Sequence, residues 1–183
     1  MTDSWNIATR HREAIEQIQN MRGWIVGSYS QVEFLMADAI VRSQTIKEYG
    51  HLSKAPTFNV TKRVRRFREL INTPGPMSVH AEALGAVVDA WESTEETRHF
   101  LVHGFAIFRW TQAGDMMMTF RRYMPELDEA DPFREMHFRP ETMQRLRDRI
   151  TEDTSAAVEA FAQMHRTMGW VGPADMPMRG VRD

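Results

Sequence analysis

Apolar residues recur at helical spacing along the first quarter of the chain, between about residues 4 and 47. This spacing predicts an amphipathic helix with one buried side. Two glycines, Gly23 and Gly27, interrupt the pattern, which indicates either one kinked long helix or two helices in series. The apolar stripe consists of Ile7, Ile15, Ile18, Met21, Ile25, Val32, Leu35, Met36, Ile40 and Ile46.

Two more helical patterns follow a loop at residues 50–58. The first covers residues 59–72, and the segment Thr-Pro-Gly-Pro at 73–76 ends it. The second predicts a helix from about Met77 to Gly104, where the glycine is expected to cap the C-terminal end. The buried sides are predicted to contain Val60, Val64, Phe67 and Ile71 in the first, and Leu84, Val88, Trp91 and Val102 in the second.

The pattern changes after Gly104 to short segments typical of β-strands. They cover residues 105–110, 116–124 and 136–139, with a turn at 111–115 between the first two. Pro140 then introduces a last helix with apolar positions at helical spacing. We therefore predict a mainly α fold, a helical bundle with a small antiparallel hairpin or sheet inserted before the last helix. The whole chain, 1–183, is expected to form a single domain with its core at about 20–168 and an irregular tail at 169–183.

Composition narrows the function classes. The 183 residues are 42% hydrophobic and 26% charged, with a net charge of −2. That balance does not indicate a globally basic nucleic-acid-binding protein. Cysteine is absent, which excludes disulfides, thiolate nucleophiles and cysteine-bound zinc. The N-terminal segment lacks an apolar signal core and no apolar run is long enough to cross a bilayer, so we expect a cytoplasmic protein without a membrane partner.

Charged and imidazole side chains interrupt the apolar pattern of the third predicted helix near its end. Glu95 and Arg98 fall on the stripe between Trp91 and Val102, where the spacing predicts core. The structural alternative for Glu95 and Arg98 is a buried or half-buried ion pair. His103 follows in the last turn, where a helix dipole favours a protonated histidine.

The segment Arg-His-Phe-Leu-Val-His-Gly, residues 98–104, resembles the signature of the HEPN superfamily (higher eukaryotes and prokaryotes nucleotide-binding domains). That signature is an Arg followed four to six residues later by His, often with Asn, Asp or His directly after the Arg. The resemblance covers about residues 20–165, although only the short motif is diagnostic. It implies a helical bundle, homodimerisation and metal-independent endoribonuclease activity, commonly in toxin–antitoxin or defence settings with a possible cognate antitoxin. Other members are non-catalytic modules that bind RNA, nucleotides or proteins, and the motif does not separate these two classes.

The chemistry of these side chains suits RNA cleavage. A histidine can transfer a proton to or from the ribose 2′-OH or the leaving 5′-oxygen near neutral pH, and an arginine can hold phosphate oxygens. We therefore predict that Arg98 and His103 are catalytic, with His99 and Glu95 orienting them. Five helical steps turn about 500°, so the two catalytic side chains would point some 140° apart. They converge if the helix end frays, if the arginine curls, or if a two-fold dimer forms a composite cleft.

Basic side chains elsewhere predict an RNA-binding surface, although a solvated surface is the default interpretation. Phe120 and Tyr123 would offer stacking surfaces for bases if they are exposed. The predicted RNA-binding residues are Lys62, Arg63, Arg65 and Arg66 in the second helix, and Arg121 and Arg122 in the second strand.

A metal-binding helical bundle is the third alternative. His99 and His103 have the spacing of paired ligands, and the pattern Glu-x-x-His occurs at 96–99 and again at 48–51. The second occurrence lies at a helix end, and further inward carboxylates are not evident. We therefore predict no metal and no other cofactor.

Overall fold

The computed structural model describes residues 3–52, 57, 59–111, 115–125 and 132–170, with the backbone alone for residues 3–10. These residues form a mainly α structure with a small antiparallel sheet before the last helix, which confirms the predicted fold class. Short 3-10 helices cover Lys47–Tyr49 and Ser78–His80. The α-helices are α1 (Asp3–Ser43), α2 (Val60–Asn72), α3 (Ala81–Glu92), α4 (Glu95–His103) and α5 (Pro140–Met168), and the strands are β1 (Phe105–Trp110), β2 (Met116–Tyr123) and β3 (Phe133–Phe138).

The sheet has the order β1-β2-β3 with antiparallel pairing throughout. Phe105 pairs with Arg121, and Tyr123 pairs with Phe133. Because side chains alternate along a strand, one face of the sheet carries the buried residues Met118, Phe120 and Phe138. The other face carries exposed residues at its end and the buried Thr119 at its centre. Two residues of the predicted turn, Thr111 and Asp115, join the first two strands by backbone hydrogen bonding, whereas 112–114 lie outside the described residues.

Helix α1 is continuous through both of its glycines, so two helices in series do not occur, whereas a kink at either glycine stays a prediction. Gly23 and Gly27 are exposed, and a Cβ built on either would meet nothing within 4 Å. Apolar residues before and after them keep one helical phase and are buried, among them Ile18, Ile25 and Val32. Burial of that stripe offsets the lower helix propensity of glycine.

The prediction of one helix from Met77 to Gly104 is wrong. The helix ends at Glu92 and a new one begins at Glu95. The amide and the hydroxyl of Thr94 both donate to the Trp91 carbonyl, at 3.2 and 3.0 Å, which closes the first helix. The break changes the helical phase, so Val102 is exposed instead of buried.

The chain divides into two compact units, residues 1–30 with 91–152, and residues 31–90 with 153–183. Helices α1 and α5 contribute residues to both units, and the single-domain prediction stays a prediction. The first unit contains the sheet, α4 and a core that includes Ile25, Trp91, Phe120 and Ile150.

The second unit contains α2 and most of α3, whose last two residues belong to the first unit. Asn59 caps α2 as its side chain accepts a hydrogen bond from the Lys62 amide at 2.8 Å, which confirms the predicted start of that helix. Phe67 packs on Phe161 with ring centroids 5.3 Å apart. The buried Tyr49 hydroxyl accepts a hydrogen bond from the Met77 amide at 2.8 Å.

Most of the predicted tail, 171–183, lies outside the described residues. Across the part of the chain that is described, no helix combines the length and the apolar character needed to cross a membrane.

We expect His165 to make the stability of the second unit depend on pH. Its side chain is 4% exposed, and burial lowers its pKa more than Asp38, 3.5 Å away, raises it; Arg42 also lowers it. In the unfolded chain His165 has its ordinary pKa of 6.5 and therefore binds a proton more readily than in the folded protein. The contribution of neutral His165 to the free energy of unfolding is complete above pH 6.5 and is lost as the pH falls below it.

We expect the free energy of unfolding to decrease between pH 7.5 and 5, and His165→Gln to flatten that dependence. Urea denaturation at several pH values measures both. His51→Gln, at an exposed position, is the matched control. An equally steep pH dependence in His165→Gln would contradict this account.

Candidate active site

Arg98 lies on the buried side of α4. The residue is 6% exposed, and its guanidinium carbon is 4.8 Å from the centre of the Trp91 ring. Such a cation–π contact is stronger when it is desolvated. The contact of Arg98 with Trp91 therefore connects α4 to the last turn of α3.

Two histidines lie on a more exposed side of α4. His99 is partly exposed, His103 is exposed, and their ring centroids are 6.2 Å apart. Nε2 of His99 lies 3.9 Å from a carboxylate oxygen of Glu95. The three residues follow each other at four-residue spacing, which places them on one side of the helix. We call them the histidine flank.

Positive charge and burial act together on His99. Burial is the largest influence that lowers its pKa, followed by the charges of Arg98 and Arg122, while Glu95 raises it. His99 therefore favours its neutral form at neutral pH. Arg122 projects from β2, so the sheet supplies the histidine flank with a cation that the helix does not carry.

Two contacts fix the end of α4 that carries His103. The side chain of Arg22 on α1 donates from Nε to the Leu101 carbonyl at 2.7 Å, which satisfies a carbonyl of the last turn. Gly104 then follows in an extended conformation, and its amide donates to the Phe100 carbonyl at 2.8 Å. The helix thus ends where the sequence predicts.

Gly104 is needed for space and not for a left-handed backbone, since its φ is −78°. A Cβ at this position would lie 2.5 Å from the Phe100 carbonyl oxygen and 3.0 Å from Cβ of Phe120. Both distances are shorter than van der Waals contact, so the glycine allows α4 to approach β2 closely.

The structure thus brings Glu95, His99 and His103 together, while Arg98 lies on the buried side of α4, where its charge still affects His99. Two of the three arrangements that would bring Arg98 and His103 together do not occur. The helix remains intact to His103, and Arg98 contacts Trp91 instead of curling outward. The third arrangement, a composite cleft in a homodimer, stays a prediction.

Metal binding at the histidine flank has little geometric support. Among the described residues, no group of three or more His, Cys, Asp or Glu side chains is arranged to hold a metal ion. In the second Glu-x-x-His pattern, Glu48 lies in a 3-10 helix and His51 is exposed after it.

The predicted RNA-binding residues differ in their surroundings. In the second unit Lys62 and Arg65 are exposed, whereas Arg63 contacts Glu33 at 3.4 Å and Arg66 is partly buried. In the first unit Arg121 and Arg122 lie on opposite faces of β2. A single surface formed by all six residues stays a prediction.

The two residues predicted as stacking surfaces also separate. Phe120 is fully buried and offers no stacking surface, whereas Tyr123 is 58% exposed and meets that condition. Residues three apart in a strand project to opposite faces, which explains why they cannot both face solvent on one side.

No known protein family, characterised protein or solved structure matches this chain. The relation to the HEPN superfamily therefore depends on the motif at 98–104 and stays a prediction.

Neither the contact of Arg22 with α4 nor the electrostatic effect of Arg122 on His99 was predicted from the sequence. A signal for Arg22 was present, because this charge follows Ile18 by four residues and therefore lies on the buried stripe of α1. The position of Arg122 depends on how β2 packs on α4, and no local pattern reveals it.

Proposed function

We propose that the chain is a metal-independent endoribonuclease whose reaction centre is the histidine flank with Arg122. The observation that carries this proposal is the pair of histidines on one accessible side of α4, beside a cation from β2. Cleavage proceeds by attack of the ribose 2′-oxygen on the adjacent phosphorus. The bond to the 5′-oxygen breaks, leaving a 2′,3′-cyclic phosphate and a 5′-hydroxyl.

The histidines divide the two proton transfers. His99, which favours its neutral form, accepts the proton of the 2′-hydroxyl, and His103 donates a proton to the departing 5′-oxygen. Rings 6.2 Å apart allow each to reach a different oxygen around one phosphate at hydrogen-bond distances of about 2.6–3.2 Å. Glu95 orients His99.

Arg122 and Arg98 have different roles in the proposed cleavage. Arg122 supplies positive charge where the phosphate gains negative charge in the transition state. Arg98 is a positioning residue that holds α4 through Trp91. Its predicted role as a phosphate ligand would require the composite cleft of a homodimer.

Toxin–antitoxin or defence function, with a cognate antitoxin, follows from the same motif and is part of the proposal. A non-catalytic RNA-, nucleotide- or protein-binding module is the alternative. Incubation of purified protein with mixed RNA in excess EDTA separates the two. Fragmentation supports the nuclease, and RNA that is bound but intact supports the binding module.

The pH dependence of cleavage should reflect the lowered pKa of His99. A general base must be neutral, so we expect the acidic limb of the single-turnover rate to lie below the ordinary histidine pKa of 6.5. Arg122→Gln removes one cause of that lowering and should move the limb to higher pH. An unmoved limb in Arg122→Gln would contradict the assignment of His99 as the base.

A further inference from the structure

The outer face of the sheet carries exposed aromatic rings at one end. Phe105 is 73% exposed, Tyr123 is 58% exposed and Phe133 is 39% exposed. The strand register places them together, since Tyr123 pairs with Phe133, and Phe105 pairs with the residue two before Tyr123. All three lie where β1 begins, β2 ends and β3 begins. We call them the aromatic end of the sheet.

Basic side chains accompany these rings on the same face. The Arg121 guanidinium carbon lies 4.3 Å from the centre of the Phe133 ring, and Arg109 is exposed farther along β1. Glu135 contacts Arg121 at 3.8 Å, so one carboxylate lies among the two arginines. The face therefore combines apolar rings with two arginines and one carboxylate, which favours a polyanion with planar groups over an apolar partner.

The aromatic end adjoins the histidine flank. Only Gly104 separates His103 from Phe105, so their Cα atoms are within about 7 Å. Arg122 lies between Arg121 and Tyr123 in β2 but projects to the inner face, where it acts on His99. One end of the sheet thus presents planar rings on one side and the histidines on the other.

We propose that the aromatic end of the sheet binds single-stranded RNA through base stacking on Phe105 and Tyr123, with Arg121 at the phosphates. This inference rests on the proposed function and names its substrate class. Stacking on exposed rings tolerates any base, and it requires bases that are not already stacked and paired within a duplex. Because Gly104 alone separates the two residues, a strand held on Phe105 has to turn around the free edge of β1 to bring a phosphate to His103.

Binding of a fluorescent single-stranded RNA with 2′-O-methyl groups, measured in EDTA, tests this inference. Methylation blocks attack by the 2′-oxygen, so binding is observed without cleavage. We expect Phe105→Ala and Tyr123→Ala each to raise Kd by roughly 5- to 150-fold. Phe34→Ala, at a 55% exposed aromatic in α1, is the matched control and should leave Kd unchanged.

Conservative variants distinguish the loss of an aromatic ring from misfolding of the protein. Phe105→Tyr and Tyr123→Phe keep a ring at each position and should retain the wild-type Kd. Unchanged binding in both alanine variants would overturn the inference. So would a wild-type protein that does not bind the RNA and instead forms a dimer that the alanine variants lose, because the face would then bind a second copy.

Failure of this inference can be distinguished from failure of the proposed nuclease. Binding of the methylated RNA reports on the aromatic end, whereas cleavage of ordinary RNA reports on His103. Binding that depends on Phe105 and Tyr123, without cleavage of ordinary RNA, would retain the inference and overturn the nuclease. Cleavage that needs His103 but proceeds equally well in both alanine variants would retain the nuclease and overturn the inference.

Discussion

His103→Ala is expected to reduce RNA cleavage by about 10²- to 10⁴-fold, the range for loss of a general acid. The imidazole at this position is exposed on the last turn of α4 and protonates the departing 5′-oxygen in the proposed mechanism. Single-turnover cleavage in excess EDTA measures the loss. Since the side chain is exposed, the free energy of unfolding should change by no more than about 0.5 kcal/mol.

His51→Ala is the matched control, because this histidine is also exposed but lies in the second unit. It should keep the wild-type rate. A rate in His103→Ala equal to that of His51→Ala would remove His103 from the mechanism, and a large loss of stability in His103→Ala would indicate a structural role instead.

Gly104→Ala is expected to destabilise the protein by about 1–3 kcal/mol, the usual cost of forcing an extra group into a packed site. The new methyl group would meet the Phe100 carbonyl oxygen at 2.5 Å, and backbone atoms cannot turn aside as a flexible side chain does. The methyl group would also lie 3.0 Å from Cβ of Phe120 in β2, so relief of the two clashes must shift the end of α4. We therefore expect cleavage to fall as well, because His103 moves with the helix end.

Gly27→Ala in α1 is the control for Gly104→Ala. It has open space for a Cβ, and alanine is the better helix former, so this variant should be stabilised by about 0.5–1 kcal/mol. Urea denaturation of the two variants beside the wild type measures both effects. Equal stability of Gly104→Ala and wild type would show that α4 does not approach β2 so closely.

Elements with strong local signals could be predicted from the sequence. The cap Asn59, the breaker at 73–76 and Pro140 mark helix ends by their own backbone chemistry. Alternation of side chains and a turn gave the first two strands. These signals do not depend on the rest of the chain, so the mainly α fold with a late sheet was accessible.

The helix break at Thr94 was missed because Trp91 and Val102 match a single helical stripe. A threonine hydroxyl that returns to its own helix is a weak signal, and the Ser-Thr-Glu-Glu segment at 93–96 is also tolerated within helices. The break decides which side of α4 is buried. The wrong helix prediction therefore also affected the predicted burial of residues in the candidate site. Exposure of Val102 and burial of Arg98 could not both follow from one continuous stripe.

The candidate site was only partly accessible from sequence. Helical geometry predicts that Arg98 and His103 point apart, and their burial and exposure agree with it. The contributions of Arg22 and Arg122 come from α1 and β2, far away along the chain. Such contacts follow from tertiary packing, which periodicity in one segment does not specify.

The central claim is that the histidine flank cleaves RNA through its 2′-hydroxyl without a metal. The most direct measurement is cleavage of one defined single-stranded RNA in excess EDTA by wild type and His103→Ala, beside the same RNA with 2′-deoxyribose at the cleaved nucleotide. We predict that wild type alone cuts, that it leaves 2′,3′-cyclic phosphate ends, and that the deoxy substrate stays intact. Equal cutting by His103→Ala, or cutting of the deoxy substrate, would contradict the claim.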